Sequence, residues 1–238
     1  MTASLTRLAS DPLLQGGMWS AATIAAYFAA KWLHRHRRSG WLTPLATAPA
    51  ILLVAALLLH TSYADYIRGT HWLVTLLGPA TVAFAVPIYQ QRALVRRYWL
   101  VLAAGIAAGS ATAMLSAWVF ATTLGLNGTL RLSLLPRSMS TPFAMATSHD
   151  IGGDPELTAL FVILTGVLGA TFGQVLLARL PIRSALARGA LLGMSAHGAG
   201  TAKARELGRE EGTIAGLVMV LVGIVNVLVA PVLAWCLK

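Results

Sequence analysis

The stretch GMSAHGAGTAKARELG, residues 193–208, gathers a serine, a histidine, glycines, a threonine and basic side chains into one turn-prone segment. A second polar knot, RSMSTP at 137–142, joins an arginine to three hydroxyls and a proline. Such residues recognise anions. A guanidinium presents a fork of donors to an oxyanion, and glycines bare the backbone. A helix that starts inside a membrane also carries free N–H groups and a positive dipole end. The candidate site is therefore Arg137, Ser138, Ser140 and Thr141 from one knot and Ser195, His197, Gly198, Gly200, Thr201 and Lys203 from the other. Ser138, Ser140 and Thr141 are suited to capping a half-helix. His197 can hydrogen-bond a ligand, ligate, or relay protons.

Other roles compete for several of these residues. Arg137 can snorkel to lipid headgroups, and Lys203 and Arg205 can be an anion funnel or a solvated helix end. His149, Asp150 and Asp154 in SHDIGGDPE have the types of metal ligands, but the two acids flank a Gly-Gly turn, where capping is the better reading. A proton-coupling role for Asp150 stays open. Ser195 and His197 stand two residues apart, on different faces of a helix, and no acid is placed to orient the histidine, so hydrolase chemistry is not expected. No metal and no cofactor are expected; H⁺ and Na⁺ are the candidate coupling ions.

The chain that must position these residues has 238 of them, 57% hydrophobic and only 11% charged, with mean hydropathy +0.71. Soluble domains carry about 25% charged residues, so the composition excludes a water-facing globule. The formal net charge of +10 does not indicate nucleic-acid binding, because aromatics do not interleave with the basic residues. Lys and Arg instead cluster between apolar runs. Cys236 is the sole cysteine, which excludes an intrachain disulfide and predicts a buried thiol. The apolar stretch from Leu13 is followed by KWLHRHRR, the wrong flank for a cleaved signal, and reads as a first spanning helix over about 13–33.

A span needs about 20 apolar residues. Uncharged runs of that order lie at 13–30, 39–64, 69–91, 98–130, 157–178 and 212–237, whereas 138–149 and 189–202 are short and polar. Gly78-Pro79 and Pro87 interrupt the third run, and Pro142 interrupts the first polar knot. Glycines four apart (105/109, 169/173, 189/193, 212/216) predict close helix packing.

The basic clusters Lys31/Arg35/Arg37/Arg38, Arg92/Arg96/Arg97 and Arg179/Arg183/Arg188 all fall in the cytoplasm if 136–150 dips in and returns while 189–205 crosses fully; a competing topology, in which 136–150 spans, exports the third cluster. The expectation is thus an all-α, polytopic helical bundle, a single transmembrane domain over 1–238 with seven crossings. Its inverted repeats cover about 41–124 and 136–236, and the broken middle helix of each (Gly78-Pro79; Gly198 and Gly200) marks a midplane site of the kind found in transporters.

The segments GPATVAFAVPIYQQ, LLPRSMSTPFAMATSHDIGGDPELTA, ARGALLGMSAHGAGTAKARELG and EGTIAGLVMVLVGIVNVLVAP resemble the signature blocks of the LrgB/CidB family, in the family's order, from about Trp41 to Pro231. The resemblance implies a multi-pass protein of the bacterial plasma (inner) membrane and transport of small carboxylates such as glycolate, glycerate or pyruvate. It also implies a small LrgA/CidA-type membrane partner, here a separate polypeptide. The alternative function in the same family is antiholin-like control of murein hydrolase export and lysis. Many relatives carry Lys where this chain has Arg137, a change that keeps charge but alters carboxylate geometry. A homo-oligomer in the lipid bilayer is expected.

Overall fold

The computed structural model describes residues 12–37, 43–126 and 128–236. Among these the chain is helical, without strands: α1 (Pro12–Arg37), α2 (Pro44–Leu58), α3 (Tyr63–Thr75), α4 (Leu77–Ala83), α5 (Ala85–Gln90), α6 (Arg92–Thr123) and α7 (Gly128–Leu134). A 3-10 turn (Leu135–Ser138) leads to α8 (Thr141–Ile151), α9 (Pro155–Arg179), α10 (Ala185–Leu207) and α11 (Arg209–Cys236). Four stretches are long and apolar enough to cross a membrane: Tyr63–Gln90, Arg92–Thr123, Pro155–Arg179 and Arg209–Trp235. Helix α2, in the uncharged run 39–64 that was expected to span, has 15 residues, about 22 Å, and falls short. Helix α1 is long enough but less apolar. The Cys236 side chain lies outside the described residues.

The expected interruptions of the third run are present and proline chemistry explains them. Pro79 and Pro87 have no N–H to offer the carbonyls of Thr75 and Ala83. The helix duly breaks at Leu76 and Phe84, dividing the run into α3, α4 and α5.

Contacts gather into two compact units, Met1–Ala80 and Thr81–Lys238. In the first, α1 packs on α2 and α3. Gly16 faces Gly69 so closely that a Cβ on Gly16 would stand 2.9 Å from the Gly69 Cα. Around that contact Ser20 Oγ donates to Gly69 O at 3.1 Å, Trp72 Nε1 donates to Ser20 Oγ at 2.8 Å, and Trp19 meets Tyr66 edge-on at 5.5 Å.

Two hairpins dominate the second unit. In the first, the chain leaves α7, turns through Met139 and Ser140 in extended conformation, and returns along α8. Its ends meet: Asp154 N donates to Ser133 Oγ at 2.7 Å, and Thr158 Oγ1 lies 3.0 Å from Ser133 O and 2.7 Å from Ser148 Oγ. Helix α8 stops at Gly152, where φ is +87, a conformation that favours glycine. With 11 residues it is about 16 Å long, half of a ~30 Å hydrocarbon layer.

Helix α10 forms the second hairpin, which corrects the expectation that 189–205 crosses as one helix. At His197 the backbone adopts φ 46 and ψ −118, and the chain doubles back. Leu192, Ala204 and Ala215 share one buried cluster, although a straight helix would hold Leu192 and Ala204 about 18 Å apart. Both ends of α10 meet the start of α11. Arg188 Nη1 is 3.9 Å from Glu211 Oε1, and a Cβ on Gly212 would stand 3.0 Å from the Arg205 Cα. The first arm therefore runs parallel to α11, with a Cβ on Gly193 only 2.8 Å from the Ala215 Cα, and the second arm returns antiparallel.

Candidate functional site

Each hairpin tip lies against the middle of a spanning helix. A Cβ on Gly169 of α9 would come within 2.6 Å of the Ser195 carbonyl, and one on Gly173 within 2.9 Å of Leu192 Cδ2. Gly223 of α11 receives the Phe143 ring in the space a side chain would occupy. Met139, Phe143 and Ala144 pack there with Val162, Met219 and Val220. The glycine spacings thus serve packing at 109, 169, 173, 189, 193 and 212, whereas a Cβ on Gly105 would meet nothing.

Each tip also holds a polar atom with no partner. Ser140 is 7% exposed and His197 is 3% exposed, yet Ser140 Oγ and His197 Nε2 are buried without a hydrogen bond. Leaving such a group unmade costs about 1–3 kcal/mol, so each asks for an explanation. Ser140 is the N-cap of α8, with a β-region backbone but no capping bond from its hydroxyl. Its oxygen is free to meet a ligand together with the first N–H groups of α8. His197 sits at a φ that non-glycine residues rarely adopt, a local strain of about 1–3 kcal/mol. Strain and an unmet polar atom coincide on one residue.

The interruption of α10 falls on His197, one residue before Gly198. The two glycines after it differ in role. A Cβ on Gly198 would enter open space, while one on Gly200 would strike the Leu192 carbonyl and stand 3.0 Å from Ala196 Cβ. Gly200 is where the arms touch. Pro142 lies in the first turn of α8, where its missing N–H costs nothing; the irregular backbone precedes it. Thr141 opens the same turn.

Arg137, in the 3-10 turn, donates from Nη2 to Ser116 Oγ at 3.4 Å, a weak bond. Ser138 lines a small cleft with Met139, Met194, Ser110 and Asn226. The cleft thereby joins the first hairpin to the second and to α6 and α11. Its volume of about 10 Å³ is the room of about one water, so a carboxylate would enter only as the hairpins part.

Other expected site residues of the second unit are already engaged. Ser195 Oγ donates back to Leu191 O at 2.7 Å, and Thr201, buried between α10 and α11, faces Met219 Sδ at 3.9 Å. Lys203 stands toward the hairpin base, paired with Glu206 at 2.6 Å. Gly78 and Pro79 belong to the first unit. Asp154 caps α9 by accepting from Glu156 N at 2.8 Å and Leu157 N at 3.1 Å. Among the described residues no three His, Cys, Asp or Glu side chains gather to hold a metal.

Ser110 and Asn226 were not expected at the site. Asn226 is 4% exposed and donates from Nδ2 to Ser110 Oγ at 2.8 Å and to Val222 O at 2.7 Å. The signal was in the sequence: an amide in the middle of the apolar run LVGIVNVLVAP, where a polar side chain faces protein rather than lipid.

Comparison with known proteins follows the same residues. The LrgB-like family profile matches residues 23–236. The chain is 41% identical over 211 residues to a Bacillus subtilis (strain 168) protein, YwbG, covering 89% of this chain and 94% of that one. It is 33% identical to the antiholin-like protein LrgB of the same organism, over 88% of this chain and 91% of the relative. It is 28% identical to the holin-like protein CidB of Staphylococcus epidermidis, over 92% and 96%. No solved structure matches it. With four apolar helices fit to cross a bilayer and this family match over nearly its whole length, the chain is a membrane protein that belongs to the LrgB-like family.

Proposed function

We propose that the chain is a carrier of small carboxylates, such as glycolate, glycerate or pyruvate, in the bacterial plasma membrane. The observation that carries this reading is the pair of buried, unpartnered polar atoms, Ser140 Oγ and His197 Nε2, at the tips of two hairpins that pack on helices long and apolar enough to span. A membrane protein that only packs has no reason to strain a buried histidine. Ser140 and the α8 N-terminus supply donors to a carboxylate oxygen, Arg137 supplies charge, and His197 contacts the far end of the acid. Alternating access follows as the hairpins part in turn, with H⁺ or Na⁺ as coupling ion. Its partners are the acid, the lipid bilayer, further copies of the chain and a small LrgA/CidA-type membrane protein. No step in this scheme makes or breaks a covalent bond, so the protein is read as a transporter and not an enzyme.

A second reading has its own support. Relatives named antiholin-like protein LrgB and holin-like protein CidB favour a factor that controls murein hydrolase export and lysis, with assembly rather than solute flux as its output. Uptake of radiolabelled two- to four-carbon acids into proteoliposomes separates the two. A carrier gives saturable uptake that excess unlabelled acid abolishes and retains a trapped neutral dye. A pore-forming lysis factor releases the dye and shows no saturation.

A further inference from the structure

We infer that residues 128–236 are an internal duplication in inverted orientation, whose two hairpin tips enter from opposite membrane faces and wall one shared site. This rests on the carrier reading for the use of the site but not for its construction. In sequence, LLPRSMS at 134–140 aligns with LLGMSAH at 191–197, matching Leu134, Leu135 and Ser138 to Leu191, Leu192 and Ser195. The same offset of 57 positions (140 to 197) pairs Asp154 with Glu211 and Gly166 with Gly223, without a gap. It also pairs Ser140 with His197, so the two unpartnered tip atoms occupy equivalent places.

Element boundaries and contacts obey the same offset. The first copy is a hairpin followed by α9, ending at Arg179; the second is a hairpin followed by α11, ending at Cys236. At the base of the first hairpin Asp154 is held by Ser133; at the base of the second its counterpart Glu211 is held against Arg188 and Gly189. Each tip rests on the other copy's spanning helix, Ser195 on Gly169 and Phe143 on Gly223, so neither copy is complete alone.

Inversion is then forced by α9. That helix is 25 residues long, enough to cross, so the two hairpin bases lie on opposite faces. Charge agrees with the geometry. The second base carries six Lys and Arg side chains, Arg179, Arg183, Arg188, Lys203, Arg205 and Arg209, beside Glu206, Glu210 and Glu211, whereas the first base carries Arg131 with Asp150, Asp154 and Glu156. The positive-inside rule puts the second base in the cytoplasm and the first outside. The return arm of α10 places Lys203, Arg205 and Arg209 on the face of Arg183 and Arg188, which a single crossing of α10 would not do.

Single cysteines at Thr129, Glu156, Ser184 and Glu210, each in a Cys236→Ser background, test this with a membrane-impermeant maleimide on intact cells and on inside-out vesicles. All four positions are exposed, and Arg183 and Arg209 are the substitutes if a variant is not inserted. Thr129→Cys and Glu156→Cys should label on cells only, and Ser184→Cys and Glu210→Cys on inside-out vesicles only, with the other face at background. Labelling of Ser184→Cys and Glu210→Cys from opposite faces would make α10 a single crossing and overturn the duplication, as would labelling of all four from one face. The pattern does not depend on transport. The expected labelling without any acid uptake would reject the carrier reading and leave the inverted duplication standing.

Discussion

Replacing Gly200 by alanine tests whether α10 folds back at His197 as described. The added Cβ would be driven into the Leu192 carbonyl, with Leu192 C at 2.7 Å and Ala196 Cβ at 3.0 Å. Overpacking costs about 1–3 kcal/mol, and here the obstacle is backbone that cannot rotate away, so the upper end of that range, about 3 kcal/mol, applies. For a chain of this size each kcal/mol lowers the melting temperature by about 2–4 °C, which gives a fall of about 6–12 °C. The assay is loss of monodisperse protein on heating in detergent, read by size exclusion. Gly198→Ala is the control, since its Cβ enters open space, and it should melt within about 2 °C of the wild type. If α10 were a continuous helix, residues 192 and 200 would be about 12 Å apart and alanine at 200 would be harmless. Equal melting of the two variants, or a larger loss in Gly198→Ala, refutes the folded-back geometry.

Three further outcomes follow from the site. Arg137→Ala should lower apparent affinity for acid by about 10- to 150-fold, the worth of a charge-assisted hydrogen bond of about 1.5–3 kcal/mol, while Arg137→Lys keeps partial uptake; unchanged affinity in the alanine variant returns Arg137 to a lipid-facing role. His197→Gln keeps a donor but takes no proton near neutral pH, so uptake should persist with altered affinity and an unaltered pH profile; a flattened profile would make His197 a proton relay. A double-mutant cycle of Asn226→Ala with Ser110→Ala, read by thermal unfolding, should return a coupling of about 0.6–1.7 kcal/mol, the range for hydrogen bonds inside membranes. A coupling near zero would deny that bond a part in holding α6 to α11.

The helical membrane class was legible because apolar run length and charge placement depend on local composition, which a sequence displays. So were the breaks near Pro79 and Pro87, where a missing N–H acts on its own turn. The path of α10 was not. Its 23 residues are the length of a span, and nothing local says that His197, rather than Gly198 or Gly200, takes the positive φ. That choice is made by contacts to Gly169, Gly173 and α11, distant in sequence. Asp154 looked like a capping residue and caps α9. Lys203 looked available for an anion, but Glu206, one turn on, engages it. The tandem relation of 134–140 to 191–197 is faint, three identities in seven, and gains meaning only once both segments are seen to be hairpin tips.

The most direct measurement is protection of a cysteine at the tip itself. Gly198 adjoins His197 and has open space beside it, so Gly198→Cys in the Cys236→Ser background should fold and react with N-ethylmaleimide. A small carboxylate bound between the tips should shield it. At a concentration ten times the dissociation constant only about one site in eleven stays empty, so the reaction should slow about tenfold, while the neutral amide of the same acid leaves the rate unchanged. Equal rates with and without saturating acid, in protein that still takes up that acid, would contradict a site between the hairpin tips.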